Sequence, residues 1–285
     1  MKNLLIPTDF SACAEHAVDA GMKLAARFDA KVHLLNKVNL PSGWSKMTED
    51  QKNTIEESNQ TIRNARVLLE EIKERYPDLD ISISHSSEKL IDAIKTYAVE
   101  HGIDFMVMGS HGASGKNEYF IGSNTQKVIR SVHCPVLVVK DKIEDLDFSK
   151  VVFASSFNEN EKAPFLRFKD FVKHFIPEIH LVAIHTSSMF DPPYILSKEA
   201  MESFKELCHP FTCHTHIFRD FTVEQGVRSF AEEIGAQLIG ISNYHRHPIK
   251  RVLMGSNVEA LINHSNLPVL SVDYVEKEVP LEQES

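Results

Sequence analysis

Cysteine is scarce: four residues in 285, Cys13, Cys134, Cys208 and Cys213, are too few and too irregularly spaced for a disulfide framework. Basic surplus is lacking too. The net charge is −9 and no Lys/Arg cluster stands out, so nucleic acid and anionic membrane surfaces are excluded as partners. No apolar run approaches the roughly 20 residues that cross a bilayer. Met1-Lys2-Asn3 leads straight into a short strand without a secretory pattern, and a cytoplasmic location is expected. What the chain does have is 42% apolar residues. At this length that predicts two domains, each with its own core.

Several nucleotide motifs are also missing. There is no G-x-G-x-x-G of the dinucleotide-binding kind. Gly109 to Lys116 nearly reads as a G-x-x-x-x-G-K loop, but Asn117 stands where Ser or Thr should hold magnesium. No Ser-Gly-Gly-x-Asp-Ser loop, His-x-Gly-His motif or evident general base accompanies the glycines. What is present, from Asp104 to Val139, is an apolar strand (Phe105 to Met108), a glycine-rich loop, Gly122-Ser123-Asn124 heading an amphipathic segment, and a second strand, Val136 to Val139. Glycines let backbone N–H groups approach an anion, and the following helix start favours negative charge. This is a phosphate-binding βαβ unit.

Upstream, the chain alternates strand and helix. Leu4-Leu5-Ile6 reads as a strand stopped by Pro7, and Ser11 N-caps a helix through Ala17, Ala20, Leu24 and Phe28. Lys31 to Val38 is a strand and Glu49 to Tyr76 one long charged helix. Leu79 to Ser84 is a strand, and Glu88 to His101 an amphipathic helix. The sum is an open parallel sheet with helices on both faces. Ligands of such sheets bind where strand order reverses, at the carboxyl ends. The Pro7 to Ser11 and Gly109 loops meet there. Taken locally, Asp9 either accepts a hydrogen bond from an exocyclic amine or caps the first helix.

The pattern Gly109-x2-Gly112-x9-Gly122-Ser123, together with Ile6-Pro7-Thr8-Asp9-Phe10-Ser11, resembles the ATP-binding motifs of the universal stress protein family. The resemblance implies a Rossmann-like, adenine nucleotide-binding α/β fold. It places ATP, with or without magnesium, against Pro7, Thr8, Asp9, Lys37, Met108, Gly109, His111, Gly112, Gly122, Ser123 and Asn124. Asp9 would face the base from one side and the Lys37 backbone from the other. Family members usually carry His and a small apolar residue where this chain has Asn36-Lys37. Dimerisation through the last strand is implied as well, here as an intrachain pseudo-dimer, with a homodimer of whole chains as a further option.

The second half repeats the first. Gly122-Ser123-Asn124 returns as Gly255-Ser256-Asn257, and Pro135 as Pro268, both offset by 133 (255 − 122 and 268 − 135). Val151 to Phe157 lies over Leu4 to Phe10 with an offset of 147 (157 − 10). The expected organisation is tandem: a domain over 1–141 with the motif intact, a degenerate copy over 149–274, and an acidic tail over 275–285. The copies differ at the motif. Ser242 takes Gly109's place, His245 that of Gly112 and Ser156 that of Asp9, while Tyr244 to Pro248 fill the loop with bulk.

The run Cys208-His209-Pro210-Phe211-Thr212-Cys213-His214-Thr215-His216 offers zinc-ligand residue types. On a strand, however, His214 and His216 share one face and Cys213 the other, so no metal site is expected. No catalytic residue is assigned. The expected function is ATP binding with a regulatory, stress-response role. The alternative is an adenine-nucleotide-using enzyme of the same fold group, a slow ATPase or an adenylyl transferase.

Overall fold

A computed structural model describes residues 1–41, 43–111, 122–186, 192–243 and 257–273. Short runs become strands, apolar and buried on both faces in the middle of the sheet and only half-buried at its two edges. In the first half these are β1 (Asn3–Thr8), β2 (Lys31–Lys37), β3 (Ile81–Ser86), β4 (Phe105–Gly109) and β5 (Val136–Val139). The second half has β6 (Lys150–Ala154), β7 (Glu178–His185), β8 (Cys213–Arg219), β9 (Leu238–Asn243) and β10 (Val269–Asp273). They form one ten-stranded sheet in the order β3-β2-β1-β4-β5-β10-β9-β6-β7-β8. Each half thus shows the same order, mirrored about the β5–β10 seam. Order reverses between β1 and β4, and again between β6 and β9.

The helices cover both faces because the strands alternate their side chains between two cores. Leu4 and Ile6 join one cluster, with residues of α1 (Ala12–Phe28), α3 (Glu56–Glu74), α6 (Lys162–Val172) and α7 (Tyr194–Leu207). Leu5 joins the other, with α4 (Leu90–Glu100), α5 (Ser123–Ile129), α8 (Val223–Glu233) and α9 (Asn257–His264).

Within the sheet every pairing is parallel except one. At the seam, β10 runs antiparallel to β5 in the register Val269↔Val138, Leu270↔Leu137, Ser271↔Val136. The expected pseudo-dimer is therefore built inside the chain, and β3 and β8 are left as the sheet's edges. The halves also interlock away from the seam. Phe171 of α6 stacks on Phe105 and Phe28 of the first half at ring distances of 4.9 and 5.8 Å. Arg130 and Glu259 pair across the join through two hydrogen bonds. The connector between β5 and β6 is tied down as well: Phe148 is buried, and Lys23 Nζ donates to the carbonyls of Ile143 and Glu144.

Two expectations are corrected. Pro7 does not stop β1, which continues to Thr8. Pairing to β4 ends at Leu5↔Met106, so the N–H that Pro7 lacks falls beyond the last β4 partner, while β2 still runs alongside as far as Thr8↔Asn36. The single helix read over 49–76 is two, α2 (Glu49–Asn53) and α3, broken at Thr54-Ile55. Thr48 and Gln51 form a capping box that starts α2, and Asn59 Nδ2 donates to the carbonyls of Lys52 and Asn53 that end it. The other helices and strands lie within a few residues of their expected positions.

Candidate functional site at the strand switch

The first wall of the crevice is the turn joining β1 to α1. Thr8 Oγ1 accepts from the Phe10 amide at 3.1 Å, with Phe10 held at φ 63°. Asp9 Oδ1 accepts from the Ser11 amide at 3.1 Å and from its hydroxyl at 2.6 Å, and the Ser11 Oγ accepts from the Ala14 amide as the N-cap. The cap is therefore Ser11. Asp9 stands two residues earlier with its side chain at the surface. Beneath the turn, buried Asn36 donates from Nδ2 to the Thr8 carbonyl at 2.8 Å. Asn36 was not among the residues expected at the site, although it stands beside Lys37 in the pair that departs from the family pattern. Lys37 itself ends β2 opposite Ser86, and its ammonium donates to Asn39 Oδ1.

The second wall is β4 and the start of α5. Met108 points into the core, leaving only its backbone toward the crevice. The Gly109 carbonyl accepts from Thr125 Oγ1 at 2.9 Å, the Ser110 amide donates to the Val139 carbonyl at 3.0 Å, and the Gly122 amide donates to the Ser110 carbonyl at 2.8 Å. That last bond pins together the two ends of the span 111–121. His111 Nδ1 lies 2.8 Å from Ser110 Oγ. Ser123 and Asn124 are exposed in the first turn of α5. Gly112 lies outside the described residues, as do Lys116, Asn117, Tyr244 to Pro248, Gly255 and Ser256.

The walls meet at Gly109. A Cβ there would stand 2.9 Å from both the carbonyl oxygen and the Sγ of Cys13 in α1. Close helix–strand approach thus requires this glycine, whatever binds above it. Gly122 has φ −60°, so its backbone is open to any residue. Among the sequence-expected residues, the structure brings Thr8, Asp9, Gly109, His111 and Gly122 to one strand-end region and places Lys37 on the neighbouring strand.

The second half repeats this frame and fills it differently. The Ser155 hydroxyl accepts from the Phe157 amide at 2.8 Å, and Phe157 has φ 58°, as at Thr8 and Phe10. Here, however, a buried carboxylate enters. Glu161 accepts from Ser242 Oγ at 2.6 Å and from Ser156 Oγ at 2.7 Å.

The Cys208–His216 run behaves as its spacing implies. His214 and His216 share a face of β8 and stack on buried His180 of β7, with ring distances of 5.0 and 5.2 Å, while Cys213 packs against the opposite core. Burial holds the His180 imidazole down to about 4, against a weaker upward pull from Glu178. Among the described residues no group of three His, Cys, Asp or Glu is arranged to hold a metal ion. A cavity of about 380 Å³ lies between the β5–β6 connector and the loop before β10. No helix of the described residues is long and apolar enough to cross a membrane.

The geometry first defines a class: a duplicated, open parallel-sheet α/β protein with one crevice per copy where strand order reverses. Comparison then supplies the family. The universal stress protein family model matches residues 1–140 and again 149–273, and this chain belongs to that family. The chain is 31% identical over 157 residues to the universal stress protein MJ0577 of Methanocaldococcus jannaschii, covering 50% of this chain and 96% of that one. It is 27% identical over 144 residues to YxiE of Bacillus subtilis, covering 48% and 97%. A solved universal stress protein from Archaeoglobus fulgidus superposes over 96% of this chain and 98% of its own, with TM-score 0.73 and 20% identity.

Proposed function

We propose that this protein binds one ATP in its first half, at the carboxyl ends of β1 and β4, and acts through that binding as a regulator. The observation that carries the reading is the Gly122–Ser110 bond of 2.8 Å. It holds both ends of the glycine span at the strand end where Cys13 and Gly109 bring the Asp9 turn against it. Glycine backbone and helix-start amides suit the phosphates, and the carboxylate of Asp9, at the surface of the crevice, suits an exocyclic amine on adenine. The seam that family resemblance assigns to dimerisation is satisfied within the chain, so binding in one half acts on a molecule that already holds its partner domain.

Calorimetric titration of the purified chain tests this. One ATP per chain is expected, with GTP weaker. No binding would overturn the reading, and two ATP per chain would overturn the assignment to one half.

A further inference from the structure

The two copies carry their crevice carboxylates in different places. In the first, Asp9 sits on the outer lip and Ala14 lies buried behind it. In the second, the offset of 147 puts Ser156 at Asp9's place and Glu161 at Ala14's (156 − 9 and 161 − 14). The acid has moved from the rim to the interior.

Its contacts show what it does there. Glu161 begins as a local device: Asn158 and Glu161 form a capping box, the Asn158 amide reaching Oε2 at 3.4 Å. A capping box needs no more than that. Yet Oε2 also accepts from Asn158 Nδ2 at 2.9 Å and Ser156 Oγ at 2.7 Å, while Oε1 accepts from Ser242 Oγ at 2.6 Å, 81 residues away. Ser242 stands where the first half has Gly109, at the end of the strand across the switch. One carboxylate therefore spans the crevice from wall to wall, with its acceptor positions engaged by hydroxyls and amides. Donors that converge in this way would equally hold the oxygens of a phosphate.

We propose that Glu161 is an internal anion that closes the second crevice, its own carboxylate occupying the donors of both walls that an entering anion would otherwise meet. A second anion entering beside it would meet like charge in a site with little water. This rests on the nucleotide reading of the first half, and the following test separates the two.

Wild type, Glu161→Ala and Glu161→Ser, both of which vacate the donors, are compared as full chains. Thermal melting is followed against inorganic phosphate and against formate, and ATP is titrated into the wild type. Because the first half is common to all three, any difference in anion response arises in the second. Both variants are expected to be stabilised by phosphate with an apparent affinity about tenfold or more above the wild type, and formate should restore Glu161→Ala. Should Glu161→Ala fail to fold, Glu161→Ser carries the same comparison. Equal phosphate response in the wild type and the folded variant overturns the proposal. A wild type that takes no ATP, with variants that still gain the phosphate response, removes the nucleotide reading and leaves the internal anion standing. A wild type that takes ATP, with variants that gain nothing, does the reverse.

Discussion

Set side by side, the two strand switches share a frame and differ in charge placement. Thr8 and Ser155 each accept the amide two residues on, and Phe10 and Phe157 each take a left-handed φ, 63° and 58°. That is an uncommon backbone state for phenylalanine, kept in both copies. Around it, Asp9, Ala14 and Gly109 give way to Ser156, Glu161 and Ser242. Duplication has preserved what holds the turn and changed what lines the crevice.

The largest expected effect comes from forcing one switch to resemble the other at Gly109. A serine there, as at Ser242, must displace the Cys13 backbone, which lies 2.9 Å from the first added carbon. Overpacking of this kind should cost about 3 kcal/mol of stability and abolish ATP binding. The reciprocal Ser242→Gly only removes one hydrogen bond to a charged group, about 1.5–3 kcal/mol, and should leave ATP binding unchanged. Calorimetric titration of the two variants checks this, and equal loss of ATP binding would break the contrast.

The next effect concerns histidines at matching positions of the second strands, His33 and His180 (180 − 33 = 147). Both are buried and both have lowered pKa values, chiefly by desolvation. His33 meets Tyr97 and His101; His180 meets His214, His216, Glu178 and the field of Lys150. A folded value of about 4 for His180, against 6.5 unfolded, means that the unfolded chain binds more protons between those limits. Stability should be full above about pH 6.5 and fall as pH drops toward 4, by about 3 kcal/mol for this group alone. Unfolding at pH 4.5 and 7.5 should show a clearly shallower loss for His180→Gln. An unchanged pH slope in that variant would refute the assignment.

The smallest concerns the rim. Asp9→Ala should weaken ATP by about 1.5–3 kcal/mol, one hydrogen bond to a charged group, and narrow the preference over GTP. Competition titration measures both, and an unaltered preference would move the base elsewhere.

The fold was open to sequence reading because its signals are local or repeated. Buried four-to-eight-residue strands, the Ser11 cap and the constant offsets led to the topology, and the family resemblance led to the seam. The break at Thr54-Ile55 escaped because charged, helix-favouring residues lie on both sides, and no side-chain cap marks the start of α3 after Ile55. Gly109 was legible as a position that excludes a Cβ, but its packing partner was not. Phosphate approach and helix approach both demand a missing Cβ, and the sequence carries no mark of Cys13 lying opposite. Glu161 was illegible for a related reason. Asn158-x-x-Glu161 satisfies a local capping pattern, whereas the bond that gives the residue its role comes from Ser242 on another strand.

The antiparallel register at β5 and β10, alone among parallel neighbours, fixes the handedness of the whole molecule's chemistry. Strands of the two halves point opposite ways, so one crevice opens at one rim of the sheet and its counterpart at the far rim. Two separate copies joined in this way would present identical rims. A single chain that joins them can let the rims diverge, and here they have. The molecule has a head, where Asp9 meets solvent, and a tail, where Glu161 is sealed. A message between the two ends would have to cross from one half to the other, through the seam of Val136 to Val138 and Val269 to Ser271 or through the flanking contacts of Phe171 and the Arg130–Glu259 pair.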